Sequence, residues 1–175
     1  MLALRDPDHP VRCWRRTSGP NRHQRRTADP AVIAFDSRTG SVTVFVERPV
    51  VQVVGLIERW VREKGAVVFD VIDHGAAARA AGLELREEVV IVFGNPRVGT
   101  VLMEQDPNVA LDLPLRVLVY EDRGNSVVTY RDPNQLRQLY DVGASDEVID
   151  QLSALMHELV TELTVGASNG SASVG

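Results

Sequence analysis

The chain has one cysteine, Cys13, among its 175 residues. A lone thiol closes no internal disulfide and offers no cysteine pair to zinc, which excludes a disulfide scaffold and a zinc knuckle. Long apolar runs are missing too. No window approaches the roughly 18 consecutive apolar residues of a membrane span, and the first residues do not form the apolar segment of a secretory signal. The expectation is a cytoplasmic protein with no membrane partner. Histidine is sparse, and His9, His23, His74 and His157 match neither HExxH nor His-x-x-x-His spacing, so no metal site is predicted. Ser18, Ser37, Ser126 and Ser153 lie in no nucleophile-elbow context, which leaves serine hydrolase chemistry without support. Lysine is nearly absent: Lys64 is the one exception in an otherwise all-arginine basic set, a bias that suits a GC-rich gene.

What is present is enough for one core. Hydrophobic residues make up 44% of the chain, and a chain of this length normally forms one domain. Charge is divided unevenly. Residues 1–26 carry seven arginines (5, 12, 15, 16, 22, 25 and 26) against Asp6 and Asp8, which gives this stretch +5 and leaves −10 for the remainder, from 12 basic and 22 acidic residues. Such an acidic body repels phosphates, so specific nucleic-acid binding is not expected. Residues 1–32 show no helical or strand period and are read as a disordered Arg-rich extension. Three readings of it stay open: an inert extension with Val11 or Val32 as alternative starts, an arm that binds polyanions nonspecifically, or a partner-binding tail. Asp6, Asp8 and the prolines spoil the amphipathic helix of a transit peptide.

From residue 33 to 165 the pattern is that of a folded domain. Ser41 to Glu47 alternates as a strand. A helix follows from Pro49, with Val50, Val53, Val54, Ile57, Trp60 and Val61 on one stripe and Gly65 to end it; Trp60 reads as core. Ala66 to Ile72 is a strand closed by Asp73-His74-Gly75. A short helix spans Ala76 to Ala81 and ends at Gly82. Glu88 to Phe93 reads as a strand covered on both faces. The most informative stretch comes next: Phe93-Gly94-Asn95-Pro96-Arg97-Val98-Gly99-Thr100, a turn built for backbone geometry, with Thr100 expected to cap a helix over Val101 to Leu111 that is interrupted at Pro107. Leu115–Glu121 and Ser126–Arg131 form a hairpin across Asp122-Arg123-Gly124-Asn125. A short helix to Tyr140 follows. Ser145 is then expected to cap a long helix with Val148, Ile149, Leu152, Leu155, Met156, Leu159, Val160 and Leu163 on one stripe. Residues 166–175 are a Gly/Ser tail with no reason to order. The implied fold is α+β, a single mostly antiparallel five-stranded sheet in the order β-α-β-β-β-β-α, with short helical insertions and helices on one face.

Val71-Ile72-Asp73-His74, Gly82-Leu83-Glu84-Leu85-Arg86, Ile91 to Thr100, Leu102-Met103 and Ala110 to Val119 together resemble the bacterial and archaeal family catalogued as domain of unknown function 302, over about Ser41 to Leu163. The resemblance implies a TATA-binding-protein-like fold class and a homodimer. Glu87-Glu88 departs from the Pro-Thr usual there, a difference confined to one turn. No activity is established for the family as a whole.

The candidate site gathers His74, Asn95, Arg97, Thr100, Met103, Asp112 and Arg116, polar residues at strand ends and glycine turns. The first expectation is a small-ligand or partner-binding domain, with a small anionic ligand held by arginine. A second is an enzyme in which His74 works with Asp73 or Asp112 as acid and base, because imidazole titrates near neutrality. A third is haem or metal held through His74, with Met103 as a second axial ligand. The backbone N–H groups near Thr100 could face a phosphate or carboxylate, but the turn lacks the Lys-Ser/Thr of a P-loop, so nucleotide hydrolysis is not supported.

Overall fold

The computed structural model describes residues 33–165; the readings of residues 1–32 and 166–175 lie outside them. Strands β1 (Ile33–Asp36) and β2 (Ser41–Val46) form a hairpin that leads into helix α1 (Val50–Glu63), then β3 (Val67–Asp73), α2 (His74–Ala80), β4 (Glu88–Gly94) and α3 (Pro96–Met103). Strands β5 (Leu115–Asp122) and β6 (Asn125–Arg131) follow, then α4 (Leu136–Leu139) and α5 (Asp146–Val165). The strands make one antiparallel sheet in the order β1-β2-β6-β5-β4-β3. The fold is therefore α+β with a single antiparallel sheet, as expected, but with six strands rather than five. The additional strand is β1, four residues on the sheet edge whose pairing with β2 no local period announces.

Local chemistry sets the element ends. α1 stops in a Schellman motif: Gly65 has φ 69°, its N–H donates to Arg62 O, and Ala66 N–H donates to Val61 O. Gly82 closes α2 in the same way, with φ 73° and Leu83 N–H donating to Ala78 O. The β5–β6 turn uses Arg123 and Gly124, with φ 56° and 84°, the positive pair that a two-residue hairpin of matching twist requires. Two expected caps differ. Asn95 rather than Thr100 caps α3, its side chain accepting from Arg97 N–H with Pro96 at the first helical position. Ser145 accepts a hydrogen bond from the Gln105 amide instead of capping α5.

The long helices cover one face of the sheet. Val53, Ile57, Trp60 and Val61 of α1 and Ile149, Met156, Leu159 and Leu163 of α5 are buried with Val44, Ile91, Phe93, Val117, Val119 and Val128 of the strands. Trp60 stands edge-on to Phe93, ring centroids 6.4 Å apart, an arrangement that favours aromatic pairs beyond their burial. On the opposite face, registered pairing aligns Thr43, Thr129, Leu118, Val90 and Ile72 in one row across the sheet. β4 is thus covered on one face and not on both, since Val90 and Val92 are only half-buried.

Candidate ligand-binding site

Register determines which of the candidate residues meet. β3 and β4 pair antiparallel, with Val67 opposite Gly94 and Asp73 opposite Val89. His74, at the head of α2, therefore lies about 20 Å of strand away from Asn95 at the head of α3, given roughly 3.3 Å per residue. Asp73 is the α2 cap, accepting from Ala76 N–H at 2.7 Å, and His74 is exposed. The sheet end that carries Asn95 also carries Leu115, opposite Phe93, and hence Asp112 and Arg116. His74 is not brought to Asp112, and His74 and Met103 are too far apart to ligate one haem iron. Among the described residues no cluster of three His, Cys, Asp or Glu side chains is placed to hold a metal ion.

The remaining candidates separate into two hollows that share Leu115. The larger, about 510 Å³, is a groove on the open sheet face at the foot of α4, and Asp112 and Arg116 line it. The smaller, about 240 Å³, is formed by the Gly94–Thr100 turn, and Asn95, Thr100 and Met103 line it. Arg97 lines neither.

The groove is apolar along Val90, Leu118, Leu136 and Leu139, and its charged lining residues are Arg116, Arg131, Asp112 and Asp132. Val117 pairs with Tyr130, so the next position along brings Arg116 and Arg131 side by side on neighbouring strands. Arg116 donates to Leu111 O at 2.9 Å and lies 3.6 Å from Asp112, whose other carboxylate oxygen accepts from Tyr140 OH at 2.7 Å. That carboxylate raises the Tyr140 hydroxyl above its ordinary range, with burial adding to the effect. Asp132 is likewise occupied, accepting from Asn134 N–H and Nδ2. Among the described residues Arg131 makes no ion pair. Asp112 is thus paired with Arg116 and Tyr140, Asp132 is bonded through Oδ1 to Asn134, and the arginines keep free donors. Arg131, Thr129 and Leu118 were not singled out in the sequence; their signal is the alternation opposite Val117, Val119 and Val128, blurred because both strand faces are apolar.

Burial in the core pushes the Tyr130 hydroxyl up to about 12 from 10.0, with the Asp132 charge adding to the rise. The native state then holds this proton more tightly than the unfolded chain does. Its stabilisation is complete below pH 10 and is lost as pH rises towards 12. The urea midpoint is expected to fall across that window, and Tyr130→Phe to reduce the slope. An identical fall in the variant would contradict the assignment.

The walls of the second hollow are apolar, and two of its polar lining groups are engaged: Thr100 Oγ1 donates to Pro96 O at 2.8 Å and Asn95 Oδ1 accepts from Arg97 N–H at 3.0 Å, which leaves Asn95 Nδ2. With α3 starting at Pro96, Thr100 sits within the helix, and no row of free N–H groups lies there to face an anion.

The family model described as Domain of unknown function DUF302 matches residues 42–161. The chain belongs to this family. The crystal structure of an uncharacterized conserved DUF302 protein from Bacillus stearothermophilus is similar in fold, with TM-score 0.64 at 17% identity over 71% of this chain and 98% of that one. Curated proteins that resemble this DUF302 chain include "Fluoride-specific ion channel FluC 1" of Brucella suis, 36% identical over 138 residues, which are 78% of this chain and 54% of that protein. The FluC 1 protein of Brucella abortus matches at 36% over 78% of this chain and 50% of its own length. The chain spans about half the length of these curated relatives. No helix among the described residues is long and apolar enough to cross a membrane.

Proposed function

We propose that this chain is a small-ligand-binding domain whose open-face groove takes a small amphipathic anion. The carboxylate of such a ligand bridges Arg116 and Arg131, and its apolar body lies over Leu118 and Val90. The observation that carries this reading is the pair of adjacent arginines at the mouth of an apolar groove, where Asp112 is held by Arg116 and Tyr140 and Asp132 accepts from Asn134. Like charges opposite each other on neighbouring strands destabilise a sheet, and an anion between them reverses that cost. A volume near 510 Å³ is within the range of small-molecule sites, about 300–1,000 Å³. The enzyme reading is less favoured, because Asp112 stands at the opposite end of the sheet from His74 and the Asp73 carboxylate beside His74 is used to cap α2.

Octanoate, an eight-carbon carboxylate, is the test ligand. In calorimetric titration it is expected to bind saturably and at least tenfold more tightly than 1-octanol, which has the same chain without the charge. Equal affinities would refute an anion site. In the fluoride-channel relatives, a domain like this one accounts for about half the length, and we infer that the pore belongs to the other half, with this half as a ligand-responsive module beside it.

The chain is further read as a homodimer through β3. Seven residues of free edge expose Val67, Phe69, Val71 and Ile72 by 37–51%, and an apolar edge of this length is a template for strand pairing. Val71→Lys is expected to convert a dimer to a monomer in sedimentation at micromolar concentration. A variant as dimeric as the parent would exclude β3 as the interface.

A further inference from the structure

We propose that the hollow formed by the Gly94–Thr100 turn is a second ligand site, specific for a small neutral aromatic molecule carrying one hydrogen-bond acceptor. This goes beyond the groove reading and is independent of it. The turn is the most distinctive stretch of the sequence, and the groove makes no use of it.

Three features define the site. Its walls are apolar: Phe69, Val98, Met103, Leu113, Pro114 and Leu152. An apolar cavity of about 150 Å³ accommodates a benzene ring, so a volume near 240 Å³ has space for a substituted ring. Two glycines line it: a Cβ at Gly94 would lie in contact with Pro114 Cβ at 3.4 Å and Phe69 Cε2 at 3.7 Å, and one at Gly99 would touch Met103 Cε at 3.8 Å. Side chains at either position would grow into the space that a ring would occupy.

The third feature is the single donor. The cap fixes the Asn95 amide, because Oδ1 accepts from Arg97 N–H at 3.0 Å. Nδ2 is the other end of that amide, on an exposed residue at the rim of the hollow, and it has no hydrogen-bond partner among the described residues. With the Thr100 hydroxyl committed to Pro96 O, this –NH₂ is the one side-chain donor the lining offers. An anion finds no countercharge in the lining, and a wholly apolar molecule leaves the donor unused. A ring bearing one carbonyl satisfies both conditions.

Acetophenone is the test ligand and ethylbenzene its acceptor-free counterpart, followed by methyl NMR of the full chain. Acetophenone is expected to shift the methyls of Val98, Met103, Leu113 and Leu152 and to bind several-fold more tightly than ethylbenzene. Asn95→Asp keeps the cap, since aspartate caps as well as asparagine, but removes the donor. It is expected to bring acetophenone down to the ethylbenzene affinity. Gly99→Leu should abolish binding of both while leaving octanoate binding in the groove unchanged, which separates failure of this site from failure of the other. Undisturbed hollow methyls up to the solubility limit, or an Asn95→Asp variant that still prefers acetophenone, would overturn the proposal.

Discussion

Phe93→Ala is expected to lower the unfolding free energy by about 3–5 kcal/mol, the usual range for emptying a buried phenylalanine site. The ring is 0% exposed, lies on β4 between Val68 and Leu115 in the paired strands, and meets Trp60 edge-to-face at 6.4 Å. Removing it opens a cavity where α1 presses on the sheet and also deletes an aromatic contact worth about 0.5–1.5 kcal/mol. Rigid strands on both sides leave little room for collapse. Natural domains are stable by only about 5–15 kcal/mol, so a large share of the total is at stake, and urea unfolding measures it directly. A loss below about 1 kcal/mol would mean that α1 is not packed on β4 as described.

The second large effect concerns the groove. Replacing Arg116 with Met keeps an apolar stem of similar length and removes the guanidinium. A hydrogen bond to a charged group is worth about 1.5–3 kcal/mol, so octanoate affinity is expected to fall about tenfold to a hundredfold. Arg131→Met should fall comparably, and the double variant should bind no better than it binds 1-octanol. Arg97→Met is the control, since Arg97 lines neither hollow. Asp112 keeps its bond from Tyr140 in the Arg116 variant, so the structural losses are the pair with Asp112 at 3.6 Å and the hydrogen bond to Leu111 O at 2.9 Å. Equal losses at Arg97 would place the effect in overall charge rather than in the groove.

Strong local periods made most of the architecture legible. The stripe of α1, the stripe of α5 and the β5–β6 turn were each readable from spacing and turn chemistry, and Gly65 and Gly82 end helices as glycine in a left-handed conformation should. β1 was not, because four edge residues take their conformation from pairing with β2 rather than from any period of their own. The start of α3 differs from the expected one for another reason. Asn95-Pro96 is itself a cap followed by a first-turn proline, and it competes with Thr100 as a signal in the same eight residues.

Less of the site was legible. Asp112 and Arg116 do line a groove together, and Asn95, Thr100 and Met103 do line a hollow together. Which end of the sheet each strand terminus occupies depends on antiparallel register, which periodicity does not carry; nothing local separates His74 from Asn95, and the length of β3 does. The open face was hidden because Val90, Val92 and Leu118 are as apolar as the core residues beside them, so alternation distinguishes the two faces only weakly.

The most direct test of the groove is a methyl NMR titration of the full chain with octanoate. Saturable shifts concentrated on Val90, Leu115, Leu118 and Leu136, and absent from Arg116→Met/Arg131→Met, are the predicted result. Shifts confined to Val98, Met103 and Leu113, or no saturable shifts anywhere, would contradict it.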